Sequence, residues 1–110
     1  MKRKPLVAGS FYPGSSSILK KDIDNYLNGV LETKKFNDIL GITVPHAGYI
    51  YSGQCAAYGF KAIQQKDFET AVIIAPSHRY AHFKFSVGNF ESYLTPFGEV
   101  GVDHHYVNEL

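Results

Sequence analysis

Ile39-Leu40-Gly41-Ile42-Thr43-Val44-Pro45-His46-Ala47-Gly48-Tyr49-Ile50-Tyr51-Ser52-Gly53 opens the stretch on which the fold reading turns. Thr70-Ala71-Val72-Ile73-Ile74-Ala75-Pro76-Ser77-His78 closes it. The runs 39–44 and 70–75 are short, apolar and rich in β-branched residues, and each ends in proline. That is the pattern of a buried strand. The residues between them, 54–65, have a helical look and carry Cys55, Ala56, Tyr58 and Gly59, the small ones among them suited to close packing on a sheet. Strand, helix and strand in this length predict one βαβ unit with parallel strands. Ligands of such units bind beyond the carboxyl ends of the strands. A histidine follows each strand-ending proline within two residues, so His46 and His78 are expected on one rim of the sheet.

The rest of the chain supports an α/β class. Residues 6–13 read as a short extended piece ending in a turn at Pro13-Gly14. Ser15, Ser16 and Ser17 offer N-caps to a helix whose apolar stripe is Leu19, Ile23, Tyr26, Leu27 and Val30. Asn28-Gly29 is an early stop signal. Phe83-Lys84-Phe85-Ser86-Val87 alternates like a half-exposed strand. Tyr93-Leu94-Thr95 and Glu99-Val100-Gly101-Val102 flank the turn Pro96-Phe97-Gly98. Asp103 is placed to cap a last helix from His104. The fold expected is a largely parallel sheet with flanking helices in a single domain over 1–110. Its layers are not closed, because a parallel sheet needs both faces covered. The domain is therefore expected to be incomplete, and to need self-association or a carboxy-terminal half.

Composition narrows the function classes. The chain has 110 residues, 45% of them hydrophobic, which fits one small globular domain. A net charge of +1 gives no electrostatic footprint for nucleic acid or a membrane surface. No apolar run reaches membrane-spanning length, and Gly9, Pro13 and Gly14 interrupt any leader behind Lys2, Arg3 and Lys4. A single cysteine fits a reducing, cytoplasmic setting. Eight tyrosines and eight phenylalanines without tryptophan point to aromatics that line a site as well as fill a core.

Neutral imidazole is a common ligand of zinc and iron, so His46 and His78 read as a metal pair. The alternative is two half-buried histidines bonded to backbone. Zinc takes three or four protein ligands, and non-haem iron typically two His and a carboxylate. No third donor stands out among Asp103, His82, His104 and His105. Tyr49, Tyr51 and Ser52 sit beside His46, either to bind or orient a ligand or to pack over a sheet edge. Cys55, between Gln54 and two alanines, reads as a small buried residue. Ser77 lacks the Gly-x-Ser-x-Gly setting of a hydrolase nucleophile. The loop is not a phosphate loop, since it has no Lys-Ser/Thr pair.

Four blocks in order, Val7-Ala8-Gly9-Ser10-Phe11-Tyr12-Pro13, Pro45 to Gly53, Pro76-Ser77-His78 and Thr95-Pro96-Phe97-Gly98, resemble the MEMO family. Its microbial members are also called AmmeMemoRadiSam system protein B. The resemblance spans nearly the whole chain. It implies a fold similar to the class III extradiol dioxygenases, which are non-haem iron enzymes. The chain would then be the amino-terminal part of a three-layer sandwich. His46 and His78 match the two pocket histidines of the family, which makes them the metal ligands, with iron expected and copper or zinc as alternatives. Phe11, Tyr49, Tyr51 and Ser77 are the expected ligand-binding residues. Further pocket residues of the family fall in a carboxy-terminal half beyond these 110 residues. The resemblance further implies a redox role or, alternatively, a module that binds a peptide or small molecule without catalysis. It implies radical-SAM and AMMECR-type proteins as partners.

Overall fold

The computed structural model describes residues 1–31 and 34–110. In chain order the elements are β1 (Lys2–Arg3), α1 (Ser16–Asn28), α2 (Tyr49–Ile63), β2 (Ser92–Thr95), β3 (Gly98–Gly101) and α3 (His104–Glu109). They fall into two compact units, one of residues 5–66 and one of residues 1–4 with 67–110.

The unit of residues 5–66 is a pair of packed helices. α1 follows the serine cluster as the sequence predicts, with Ser15 at its N-cap position. Leu19 is buried and Ile23, Tyr26, Leu27 and Val30 are half-buried, so the apolar stripe is the packed face. The opposite face carries an exposed Lys20–Asp24 pair at 2.6 Å. Across from it, α2 contributes the buried Ala57. The small residues of α2 do bring neighbours close. A Cβ on Gly53 would lie 2.9 Å from the Tyr26 ring, and one on Gly59 would lie 2.6 Å from Val44 Cγ1. Gln54 Nε2 donates to the Tyr26 carbonyl at 2.9 Å and ties the helices further. The close approach thus serves α1 and residues 42–44, where a sheet was predicted.

The unit of residues 1–4 and 67–110 is built on a three-stranded sheet in the order β1-β2-β3. β1 pairs with β2 in parallel, Lys2 opposite Ser92 and Arg3 opposite Tyr93. β2 and β3 form the antiparallel hairpin that the sequence predicts around Pro96-Phe97-Gly98. Gly98 turns the chain with φ at +121°, a conformation that side-chain-bearing residues rarely take. Thr95 Oγ1 closes the turn, donating to the Gly98 carbonyl and accepting from Phe97 N–H. Ser92 is 2% exposed. Its hydroxyl donates to Glu99 Oε1 at 2.5 Å, and Lys2 Nζ donates to Glu99 Oε2 at 2.7 Å. The Lys2 bond, then the Ser92 bond, hold the Glu99 carboxyl below its ordinary range. Asp103 caps α3 as predicted, accepting from Tyr106 N–H at 3.0 Å, and it also accepts from Thr70 Oγ1 at 2.6 Å.

Three expectations are corrected. Residues 39–44 and 70–75 are not strands, and neither are residues 83–87. A strand exists only where a ladder partner satisfies its amides and carbonyls. No such ladder is formed by these runs among the described residues, and several of their apolar side chains stand in solvent, Leu40 at 104%, Ile73 at 87% and Ile74 at 92% exposed, while Ile39, Ile42 and Val44 are half-buried. The sheet is consequently mixed, one parallel and one antiparallel pair, in place of the largely parallel sheet predicted. Cys55 is exposed, where a buried residue was expected. No helix among the described residues is long and apolar enough to cross a membrane.

Candidate functional site

The residues singled out by the sequence divide between the units. Phe11, His46, Tyr49 and Tyr51 belong to the unit of residues 5–66, and Ser77 and His78 to the other.

The loop 45–48 leads into α2, and its geometry comes from three tethers. Residues 7–12 form a tight turn, with Gly9 N–H on the Tyr12 carbonyl at 2.7 Å and Phe11 N–H on the Val7 carbonyl at 2.9 Å. Gly9 takes a φ of +85°, which the turn requires. The turn presents the Phe11 carbonyl to Tyr49 N–H at 2.8 Å. That bond satisfies a first-turn amide that has no partner within its own helix. It explains why α2 begins at Tyr49, five residues ahead of the helical-looking stretch 54–65. Two further tethers come from within α2. Tyr51 and Ser52 N–H both donate to the Gly48 carbonyl, at 2.9 and 3.1 Å. Ser52 Oγ donates to the Ala47 carbonyl at 3.1 Å.

Around this loop the aromatic side chains are arranged at different depths. Tyr49 is half-buried, its ring centroid 5.5 Å from that of Tyr12 at a tilt of 44°. Burial, and then the neighbouring Tyr12, push its phenol above the ordinary tyrosine value. Tyr51 is 83% exposed, and a Cβ on Gly48 would lie 3.5 Å from its ring and 3.6 Å from the Phe11 carbonyl. Phe11 is exposed as well, so its main chain anchors the helix while its ring stays on the surface. His46 is exposed at the head of the tethered loop. Tyr12 is the contributor that the sequence reading missed as an individual residue. Its only signal was membership of the Val7–Pro13 block.

In the other unit His78 is exposed, and Ser77 forms a closed turn. The Ser77 hydroxyl donates to the Tyr80 carbonyl at 2.7 Å and accepts from Tyr80 N–H at 3.2 Å. The hydroxyl therefore has a structural use that its place beside a histidine did not reveal. The Tyr80 and His82 rings meet edge-on at 6.4 Å. Imidazole at His46 and at His78 is the right donor type for iron, copper or zinc. Among the described residues, no group of three or more His, Cys, Asp and Glu comes together around a metal position.

Comparison with known proteins bears directly on these blocks. The model of the Memo-like protein family matches residues 3–110. The chain belongs to the Memo family. A MEMO1 family protein of Nitrosopumilus maritimus is 36% identical over all of the chain, which covers 42% of that relative. One from Thermococcus onnurineus is 39% identical over 94% of the chain and 35% of the relative. One from Methanococcoides burtonii is 41% identical over 92% and 36%. This Memo-family chain thus spans about two fifths of the length of the curated relatives it matches. The blocks that carried the resemblance lie within the matched residues, and two of them, 7–13 and 45–53, meet at the Phe11–Tyr49 bond.

Proposed function

We propose that this Memo-family chain supplies His46 and His78 as the imidazole donors of a non-haem metal centre of redox type. Iron is the first expectation and copper or zinc the alternatives. The observation that carries the reading is the tethering of the Ala47 and Gly48 carbonyls to the first turn of α2, whose own start is held by the Phe11 carbonyl. Groups around a ligand histidine that fix its orientation strengthen metal binding, and a tethered loop is one such support. When bound, such an ion offers open coordination positions for a small molecule or peptide. Tyr49, Tyr51, Phe11 and Ser77 are the proposed ligand-binding residues beside it. Two donors are fewer than a metal site normally has, so the further ligands are proposed to come from residues outside this chain. The same proposal includes the sandwich architecture. A cytoplasmic setting and association with radical-SAM and AMMECR-type proteins belong to it too.

A second reading has its own observation. Tyr51 and Phe11 present exposed aromatic rings next to a tethered loop, as a module that binds a peptide without catalysis would. Metal analysis separates the two. The full-length protein, which carries the further ligands, is incubated with ferrous, cupric or zinc ion, desalted and assayed for bound metal, alongside the same protein with His46→Ala or His78→Ala. Retained metal that either substitution removes is the expected result. Metal content unchanged by both substitutions overturns the metal reading. A chain that holds no metal and binds peptides through Tyr51 establishes the second.

A further inference from the structure

We infer that residues 1–3 are an ionic strap, which closes the edge of β2 and is released when the Lys2–Glu99 pair is screened. β1 has two residues, where strands commonly have roughly five or six. Burial does not hold it, since Met1, Lys2 and Arg3 are all exposed. What the strap carries instead is charge. Lys2 Nζ donates to Glu99 Oε2 at 2.7 Å, and the Met1 amino group lies 3.3 Å from Glu91 Oε1. The Arg3 guanidinium stands 5.3 Å from the centroid of the Phe90 ring. The carboxylate that receives Lys2 belongs to β3, on the far side of β2 from the strap. Ser92, on β2 between them, donates to its other oxygen at 2.5 Å. One carboxylate thereby spans all three strands, and the buried Ser92 hydroxyl holds it in place for Lys2.

Two backbone bonds at Glu91 separate the strap from the hairpin. The Glu91 N–H donates to the Met1 carbonyl at 3.1 Å, and its carbonyl accepts from Val102 N–H at 3.0 Å. The first bond belongs to the strap and the second to the β3 side. The hairpin has its own turn and four paired residues on each strand, so it outlasts the strap. Segments held by few buried contacts open locally in this way, ahead of the rest of the fold. Exposed ion pairs weaken as salt is added. Protonation does not do the same near neutral pH. The bond to Glu99, then its charge, hold the Lys2 ammonium above its ordinary value, while the Lys2 and Ser92 bonds hold the Glu99 carboxyl below its own. Both groups stay charged through neutrality, and screening is the means of release. The uncovered edge then offers its unpaired groups, Glu91 N–H among them, to an added strand.

The test follows two amides of the full-length protein, Glu91 and Val102, by hydrogen exchange read with NMR. Their ratio cancels the effect of salt on exchange itself. Raising sodium chloride to about 1 M, where the Debye length is about 3 Å, is expected to speed Glu91 about threefold against Val102. Lys2→Met keeps a long side chain and loses its charge. It is expected to give that faster rate already at low salt, and to respond less to added salt. Glu99→Gln, which keeps an acceptor for Ser92, is expected to do the same. Lys20→Met, which removes the exposed pair with Asp24 on α1, is expected to change neither amide. A Glu91 rate that ignores salt in the wild type overturns the strap. So does equal acceleration of Glu91 and Val102, which makes the Lys2–Glu99–Ser92 network a support of the whole sheet. A full salt response persisting in Lys2→Met overturns the assignment to that pair. If Glu99→Gln fails to fold, Lys2→Met leaves the Ser92–Glu99 bond intact and decides alone.

Discussion

Tyr49 joins three jobs in one residue. Its amide caps the start of α2 on the Phe11 carbonyl, its ring packs against Tyr12, and its phenol is pushed up by burial. Only the last depends on the hydroxyl. Tyr49→Phe keeps ring and amide, so its stability is expected within about 1 kcal/mol of wild type. Its effect should fall on ligand or metal binding. Tyr49→Ala loses the Tyr12 contact and part of a half-buried ring, at a cost of about 1–2 kcal/mol. Chemical denaturation of the two variants checks this, and equal losses in both would make Tyr49 a structural hydrogen-bonder. At this scale the candidate loop was legible: a tyrosine three residues after a histidine, in a glycine-bracketed loop, is a local pattern. Tyr12 and the Phe11 carbonyl were not, because they reach Tyr49 across more than thirty residues and nothing local in the sequence encodes that pairing.

The elements read from the sequence with success are those whose stability is local. α1 carries its own stripe and i,i+4 pair, α3 its own Asp103 cap, and the β2–β3 hairpin its own turn. The elements misread are those that depend on a distant partner. Runs 39–44 and 70–75 have the composition of buried strands and lack the ladder, and β1 was missed because two basic residues carry no strand pattern before Ser92 and Tyr93 pair with them. The hairpin offers a sharp test of local control. Gly98 sits at φ +121° with open space where a Cβ would go. Gly98→Ala therefore meets no clash and pays only for the backbone, about 1–3 kcal/mol. The loss should appear as lowered thermal stability and as weaker amide protection in β2 and β3. An unchanged hairpin would mean that the turn relaxes to negative φ without cost.

On the scale of the whole molecule, exposed apolar surface is the dominant feature. Leu31, Leu40, Ile73 and Ile74 are each more than four fifths exposed. Exposed apolar side chains of this kind, present in each unit, favour association. The isolated chain is expected to self-associate at micromolar concentration, and sedimentation velocity as a function of concentration measures it. A monodisperse monomer with a sharp cooperative thermal transition would sink the expectation. The placement of β1 has a consequence of another sort, in the timing of synthesis. Lys2 bonds Glu99, 97 positions later in the chain. At about 5–20 residues per second, a ribosome needs about 5–20 s to make the second partner after the first has left it. The bonds that tie Phe11 to Tyr49 and Tyr26 to Gln54 span far less chain, so they become available well before the sheet does. The first strand of the molecule is thus among the last to be paired, and the helical unit has its turn at folding while the opening residues still wait.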